Sequence, residues 1–184
     1  LVDLLALQAD KTPQAPFLAT PQHDGLTLSF ATAHTIVQNL CYQLAVLKLE
    51  RGSAIAVLMP NHPHASLACL ACLSAGLHPL LLPAHGKFSE LAGLLIREPC
   101  AAIITVAIHD QSLPDMAMRL AAATDHVRFV MAFGHAPSKG IIALDPFIAA
   151  PLAHHVPVQE PANAILLPQP RGDVARVTVQ ALVA

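Results

Sequence analysis

The order of elements in this chain is decided by an eleven-residue stretch, LSAGLHPLLLP, at residues 73–83. An apolar run at residues 54–59 ends at Pro60-Asn61, and a helix rich in Cys, Ala and Leu is predicted from about residue 64 to residue 75. Gly76 is expected to end that helix, since glycine adopts the left-handed conformation found after helix ends. A second apolar run follows and ends at Pro83. The pattern predicts a strand–helix–strand unit with two buried strands.

Composition and charge narrow the class of protein. The chain has 184 residues, of which 54% are hydrophobic and 12% are charged, so it is more apolar than an average soluble domain. The length suits one α/β domain, residues 1–184, or the leading part of a larger one. A net charge of −2 gives no basic field for nucleic acid. Some of the apolar surface is expected to contact missing C-terminal domains, a second copy of the chain, another partner or a ligand.

The remaining segments alternate between helical and strand patterns. The clearest helix has apolar residues from Ala33 to Ala45 at spacings of three and four, and Ser29 is its expected N-cap. Further helices are predicted at residues 88–97 and 114–123, and strands at 101–106, 127–133 and 164–167. An opening helix and a short β-hairpin precede them. This order predicts an α/β fold with a mainly parallel, doubly wound sheet and helices on both faces.

Several of these features together resemble one enzyme superfamily. They are the Thr12-Pro13 after the opening helix, the hairpin, Leu28-Ser29-Phe30 before a helix, Arg51-Gly52 before a strand, and Leu73-Ser74-Ala75-Gly76. The chain resembles the N-terminal subdomain of the acyl-adenylate-forming, AMP-binding superfamily of acyl-CoA synthetases, peptide-synthetase adenylation domains and luciferases. The resemblance implies activation of a carboxylic acid with ATP and Mg²⁺ to acyl-AMP, followed by transfer to a thiol such as CoA.

The superfamily's phosphate loop is the segment where the chain departs from the resemblance. That loop is rich in Ser, Thr and Gly, closes with Pro-Lys-Gly and precedes a helix, whereas residues 168–177 here read PQPRGDVARV. Two prolines remove backbone donors, and Asp173 would repel phosphate. The resemblance places Arg176 near the family lysine, and Arg171 and Gly172 complete a candidate degenerate ATP-phosphate loop. A helix is expected to begin at about residue 178.

Cysteine and histidine patterns offer weaker alternatives. Cys69 and Cys72 form a C-x-x-C that suits a redox pair or half a zinc site, but the same spacing is typical of a packed helix face. Neither His62-Pro63-His64 nor His154-His155 comes with a convincing third metal ligand. At the predicted strand ends, Asn61 is expected to cap the next helix or, as the alternative, to reach into a crevice. His85 and His109 lack a partner that would make them bases. The sequence predicts no metal site and no catalytic residue in this chain.

Domain limits and location complete the expectations. Residues 151–161 are rich in Pro and His and are expected to form a surface connection. The uncharged residues 65–82 include Gly76, His78 and Pro79, which disfavour a membrane-spanning helix. No signal peptide is recognised, so a cytoplasmic protein is expected, and the natural chain is expected to continue past Ala184.

Three functions fit these observations. The first is the N-terminal portion of an AMP-forming acid–thiol ligase that is inactive as this fragment. The second is a non-catalytic adenylation-like module for ligand binding or protein interaction. The third is an unrelated flavodoxin-like domain, which periodicity alone leaves open.

Overall fold

A computed structural model describes residues 2–20, 26–107, 112–134, 138–149, 162–170 and 173–178 of the protein. The chain begins with helix α1 (Val2–Lys11), antiparallel strands β1 (Pro16–Thr20) and β2 (Leu26–Ser29), and helix α2 (Phe30–Val46). The Ser29 hydroxyl accepts a hydrogen bond from the backbone N–H of Thr32 at 3.2 Å and caps α2. The opening helix, the hairpin strands and the cap are therefore confirmed, while the predicted hairpin turn lies outside the described residues.

Strands and helices then alternate along the chain. In order they are β3 (Ala54–Met59), α3 (Pro63–Ser74), β4 (His78–Pro83), α4 (Phe88–Arg97), β5 (Cys100–Ala107), α5 (Ser112–Ala122), β6 (Phe129–Gly134), β7 (Ile141–Ala143), α6 (Asp145–Ala149), β8 (Ala164–Pro168) and β9 (Val174–Thr178). The uncharged residues 65–82 are divided between α3 and β4. Among the described residues, no helix combines the length and the apolarity that crossing a membrane requires.

Seven of these strands form one sheet in the order β7-β6-β5-β3-β4-β8-β9. Every neighbouring pair is parallel except β8 and β9, which are antiparallel. The mainly parallel α/β sheet predicted from the sequence is confirmed.

Helices cover both faces of this sheet. Ile55, Val57 and Met59 of β3 point to a core shared with α1, α2 and α3, which we call the first face. Ala56 and Leu58 point to the opposite core, shared with α4 and α5, which we call the second face. Alternate residues of a strand point to opposite sides, so a strand buried on both faces is apolar throughout.

The boundary between α3 and β4 has the geometry that its glycine predicts. α3 ends at Ser74, and Gly76 has a φ of 74°, in the left-handed region. The Gly76 carbonyl accepts a hydrogen bond from the N–H of Gly52 at 2.9 Å, which links the turns before β4 and β3. This hydrogen bond therefore holds the starts of the two strands, β3 and β4, next to each other.

The cap of α3 corrects one prediction. Its N-cap is His62, not Asn61, and the His62 Nδ1 atom accepts a hydrogen bond from the His64 N–H at 3.3 Å. His62 precedes Pro63, and a residue before proline is restricted to extended conformations, which an N-cap also adopts. Its φ of −133° and ψ of 146° agree with that restriction.

The segment after β8 corrects a second prediction. Val174 to Thr178, expected to be loop followed by a nascent helix, form β9 and pair with β8 in a hairpin. Two valines suit a strand, and pairing with β8 supplies the backbone partners that a loop would lack. Residues 179–184 lie outside the described part of the chain.

Candidate functional site

The carboxyl ends of the parallel strands define the candidate site. β3 leads into α3 on the first face, whereas its neighbours β4 and β5 lead into α4 and α5 on the second face. Ligands of open α/β sheets bind where such connections diverge. The strand ends on this edge are Met59, Pro83, Ala107, Gly134 and Pro168.

The described residues of the hairpin loop at this edge pair with one another. Pro168 pairs with Val174, and the Gln169 N–H donates to the Asp173 carbonyl at 2.7 Å. Pro168 and Pro170 carry no N–H. Three of the four described residues in 168–173 therefore offer no free backbone donor to a phosphate. This described part of the loop does not fit an ATP phosphate cradle of backbone N–H groups.

Of the three residues predicted for phosphate binding, Arg176 lies among the described residues. Arg176 is exposed in the middle of β9 and pairs with Leu166. It lies two residues behind Val174, or about 7 Å along the strand from the carboxyl edge. Arg176 shares a side of β9 with Val174, which packs on the second face. Arg171 and Gly172 lie outside the described residues, and the role of all three residues in phosphate binding stays a prediction.

A large cleft opens on the first face, between α1 and α3. We call it the α1–α3 cleft. Its volume is about 630 Å³, within the range of small-molecule sites. Its floor comes from three neighbouring strands, at Val57, Leu81 and Ile165, and Phe17 and Phe30 also contribute to its wall. Asn61 lies at this cleft, in agreement with the alternative that it reaches into a crevice. Sequence patterns show that each of these elements is apolar, but not that they leave space between them.

A second cleft, of about 670 Å³, lies between α4 and β8 on the second face. Pro168, Gln169 and Pro170 of the hairpin form part of its wall, and Glu90 and Arg97 of α4 are the charged residues among the described part of its lining. The Glu90 carboxylate accepts a hydrogen bond from the Lys87 N–H at 3.3 Å and so caps α4. Among the described residues that line this cleft, Arg97 is the cation that an entering anion would meet.

A cluster of polar groups that the sequence did not indicate lies at the ends of β3 and β6. The Asp145 carboxylate accepts a hydrogen bond from the Gly134 N–H at 2.8 Å. His64 stacks on Phe133 with ring centroids 4.5 Å apart and planes at 12°. Its Nδ1 atom is buried without a hydrogen-bond partner among the described residues. The pairing of Asp145 with a backbone N–H indicates a structural role for that carboxylate.

The electrostatics of His64 follow from this packing. Burial lowers its pKa from the ordinary value of 6.5, because an apolar surrounding disfavours the charged ring. The negative charge of Asp145 acts in the opposite direction but is the smaller effect. His64 is therefore held in its neutral form on the edge of the sheet.

The other histidines and cysteines that the sequence singled out are His85, His109, His154-His155, Cys69 and Cys72. His85 is exposed in the turn after β4, and His109 and His154-His155 lie outside the described residues. Burial raises the pKa of Cys69 from 9.0 to about 12, and that of Cys72 well above 9.0. Across the described residues, no three His, Cys, Asp or Glu side chains are arranged to hold a metal ion.

Solved structures with a similar fold include a CoA synthetase and a CoA ligase. Acetoacetyl-CoA synthetase from Streptomyces lividans has a TM-score of 0.78 at 19% identity, with 90% of this chain and 27% of that chain covered. The anthranilate CoA ligase AuaEII, solved with anthranoyl-AMP, gives 0.76 at 14% identity, covering 90% and 31%. Mycobacterium smegmatis MbtA gives 0.74 at 20% identity, covering 99% and 34%. At these identities the similarity establishes the fold.

The family is established by the sequence as a whole. The family model for AMP-binding enzymes matches residues 5–164, which is most of the chain. The chain belongs to the AMP-binding enzyme family. It spans between 27% and 34% of the length of the three solved structures named above. A comparison with curated proteins gave no significant match.

Proposed function

We propose that this chain is the N-terminal portion of a cytoplasmic AMP-forming acid–thiol ligase. The complete enzyme would convert a carboxylic acid and ATP, with Mg²⁺, into acyl-AMP and pyrophosphate, and would then transfer the acyl group to a thiol such as CoA. The observation that carries this proposal is the family match over residues 5–164, joined to the seven-stranded sheet. The solved enzymes of this fold support the same chemistry.

Within such an enzyme, these residues would supply a rigid sheet and the walls of the ligand clefts. The strands β3, β4 and β5 are buried on both faces, so their carboxyl ends are held in place by two hydrophobic cores. Sites built on such rigid elements position ligands more precisely than sites on loops. The polar groups needed for catalysis would come from the rest of the enzyme, and the 184 residues alone would be inactive.

Formation of acyl-AMP by the isolated 184-residue chain tests the last statement. The chain would be incubated with Mg-ATP and a panel of carboxylic acids, and adenylates would be trapped with hydroxylamine. We expect no hydroxamate above a control without protein. Hydroxamate that depends on acid, ATP and the folded chain would contradict the proposal that this portion is inactive alone.

A non-catalytic, adenylation-like module is the second candidate. It is favoured by the closed hairpin, in which the Gln169 N–H is used internally and Pro168 and Pro170 have none. Such a module would bind no Mg-ATP and would associate with itself or with another protein. Equilibrium dialysis with labelled Mg-ATP distinguishes the two candidates. Saturable binding of Mg-ATP that is lost in an Arg171→Ala/Arg176→Ala variant would argue against the non-catalytic module.

A further inference from the structure

We propose that a cleft at the amino-terminal edge of the sheet, here called the amino-edge cleft, binds a small anion that carries phosphate groups. Its volume is about 440 Å³, within the range of small-molecule sites. Its lining includes the residues that precede three neighbouring parallel strands, namely Ser53 before β3, Pro99 before β5 and Arg128 before β6. The eight residues of β5 separate this cleft from the carboxyl edge by about 25 Å.

Cations outnumber acidic groups in the amino-edge cleft. Lys48 and Arg128 are positively charged at neutral pH, and Glu50 is the one acidic residue in the described part of the lining. His126 and Ser53 add a ring N–H and a hydroxyl, so four side chains can donate hydrogen bonds to a ligand. Among the described residues, none of these side chains has a hydrogen-bond or ion-pair partner. Their donors are therefore available to an anion.

The guanidinium of Arg128 is held in position by its neighbours. The backbone N–H of Arg128 donates to the Ala101 carbonyl at 2.9 Å, directly before β6 begins. Its guanidinium lies over the ring of Phe129, 5.6 Å from the ring centroid. Stacking on an aromatic face leaves the N–H groups at the edge of a guanidinium free to bind, and their fork geometry matches phosphate oxygens.

Lys48 reaches this cleft from an uncommon backbone conformation. Among the described residues, it alone combines a side chain with a positive φ, of 49°. It follows Leu47, the C-cap of α2, at a place where glycine is the usual residue, and its N–H donates to the Ala45 carbonyl at 3.0 Å. A side chain in this conformation costs stability relative to glycine. The positive charge that Lys48 brings to the cleft is a benefit that glycine would not provide.

Phosphate suits this lining better than a carboxylate does. A phosphate group has more oxygen acceptors and more negative charge, so it can use several donors at once. The net charge of −2 of the whole chain disfavours nucleic acid, and a small molecule is therefore the expected occupant. Glu50 opposes any anion, so its removal is expected to strengthen binding.

Binding of pyrophosphate to the 184-residue chain tests the proposal. Calorimetric titration at constant ionic strength, without ATP or Mg²⁺, should show one saturable site that binds acetate about tenfold more weakly. Lys48→Gly should weaken pyrophosphate binding about tenfold. Its urea midpoint should not fall, because glycine suits the positive φ. Lys87→Ala removes an exposed lysine before α4, at the opposite edge of the sheet, and as the matched control should leave binding unchanged.

Two further variants keep the test independent of the folding of Lys48→Gly. Arg128→Ala, at an exposed position, should also weaken pyrophosphate binding about tenfold. Glu50→Gln should act in the opposite direction and strengthen binding about threefold, because it removes a charge that repels the anion.

Several results would overturn the proposal. They are the absence of saturable pyrophosphate binding, equal binding of acetate, and unchanged affinity in folded Arg128→Ala. A lysine that only offsets the dipole of α2 would lower the urea midpoint when replaced by glycine and would leave binding unchanged. Binding that is lost in Arg171→Ala/Arg176→Ala but kept in Lys48→Gly would place the anion at the hairpin instead.

Discussion

Gly134 shows how one residue constrains the edge of the sheet. It ends β6 with a φ of 100°, and a Cβ atom at this position would lie 2.0 Å from the Ala107 carbonyl oxygen of β5. Its N–H is held by Asp145 at 2.8 Å, so the backbone cannot move away without breaking that hydrogen bond. Ala107 and Gly134 also pair directly in the parallel ladder. A side chain here would separate two strand ends of the candidate site.

Gly134→Ala should lower the free energy of unfolding by about 3 kcal/mol, because the clash adds to the cost of positive φ. Gly52→Ala is the matched control, since Gly52 has a φ of 79° and, apart from its chain neighbours, no described residue lies within 4 Å of the position that a Cβ would take. It should cost only about 1 kcal/mol. Urea unfolding measures both. Equal losses would show that the strand ends move apart easily and would contradict the close approach of β5 and β6.

His64 gives the chain a pH-dependent stability. Its pKa is lowered by burial in the folded state, so the unfolded imidazole binds a proton more readily. The free energy of unfolding should therefore fall as the pH drops below 6.5, the ordinary pKa, towards the lower folded pKa. His64→Phe keeps a ring to stack on Phe133 but cannot titrate. Urea midpoints at pH 7.5 and pH 5.5 should differ less in this variant than in the natural chain, and an equal difference would exclude His64 as the source.

At the scale of elements, α3 explains why a C-x-x-C motif is a packing feature here. Cys72 is fully buried in the core of the first face, and Cys69 lines the α1–α3 cleft. Burial is the main cause of their raised pKa values, and a thiol kept neutral is a poor nucleophile and a poor metal ligand.

Thiol labelling tests this account of α3. With a pKa of about 12 instead of 9.0, Cys69 would have about a thousandfold less thiolate at pH 8 in the folded chain than in the unfolded chain. Ellman's reagent should therefore react slowly with the native protein and rapidly in urea. Cys69→Ser, which removes one of the four thiols, identifies its share of the signal. Fast labelling of the native protein that is lost in Cys69→Ser would contradict a largely buried, neutral Cys69 thiol.

The elements also show which features a sequence can reveal. The helix α2 and the unit from β3 to β4 were predictable, because their periodicity and their glycine and proline boundaries are local. β7 has only three residues, too few for a recognisable pattern. β9 follows a segment rich in Pro, Gly and Asp, and its strand conformation depends on pairing with β8. The stacking of His64 on Phe133 and both clefts depend on contacts between distant parts of the chain, which no local pattern encodes.

At the scale of the whole molecule, the chain has the family's sheet with a closed hairpin at the predicted phosphate loop. The two cores hold the ends of β3, β4 and β5 in place, and a cleft opens on each face beside β4 and β8. Leu81 and Leu82 of β4 line both clefts, so ligands in the two clefts would lie on opposite sides of this strand. We propose that such a scaffold serves acid activation only within a longer enzyme.

Acid-dependent ATP–pyrophosphate exchange tests that claim most directly. It would be measured with the longest natural protein that contains these residues, a broad panel of carboxylic acids, and the 184-residue chain as the control. We expect exchange with at least one acid in the longer protein and none in the control. No exchange by a longer protein that is shown to be folded would contradict the ligase function and would favour the non-catalytic module.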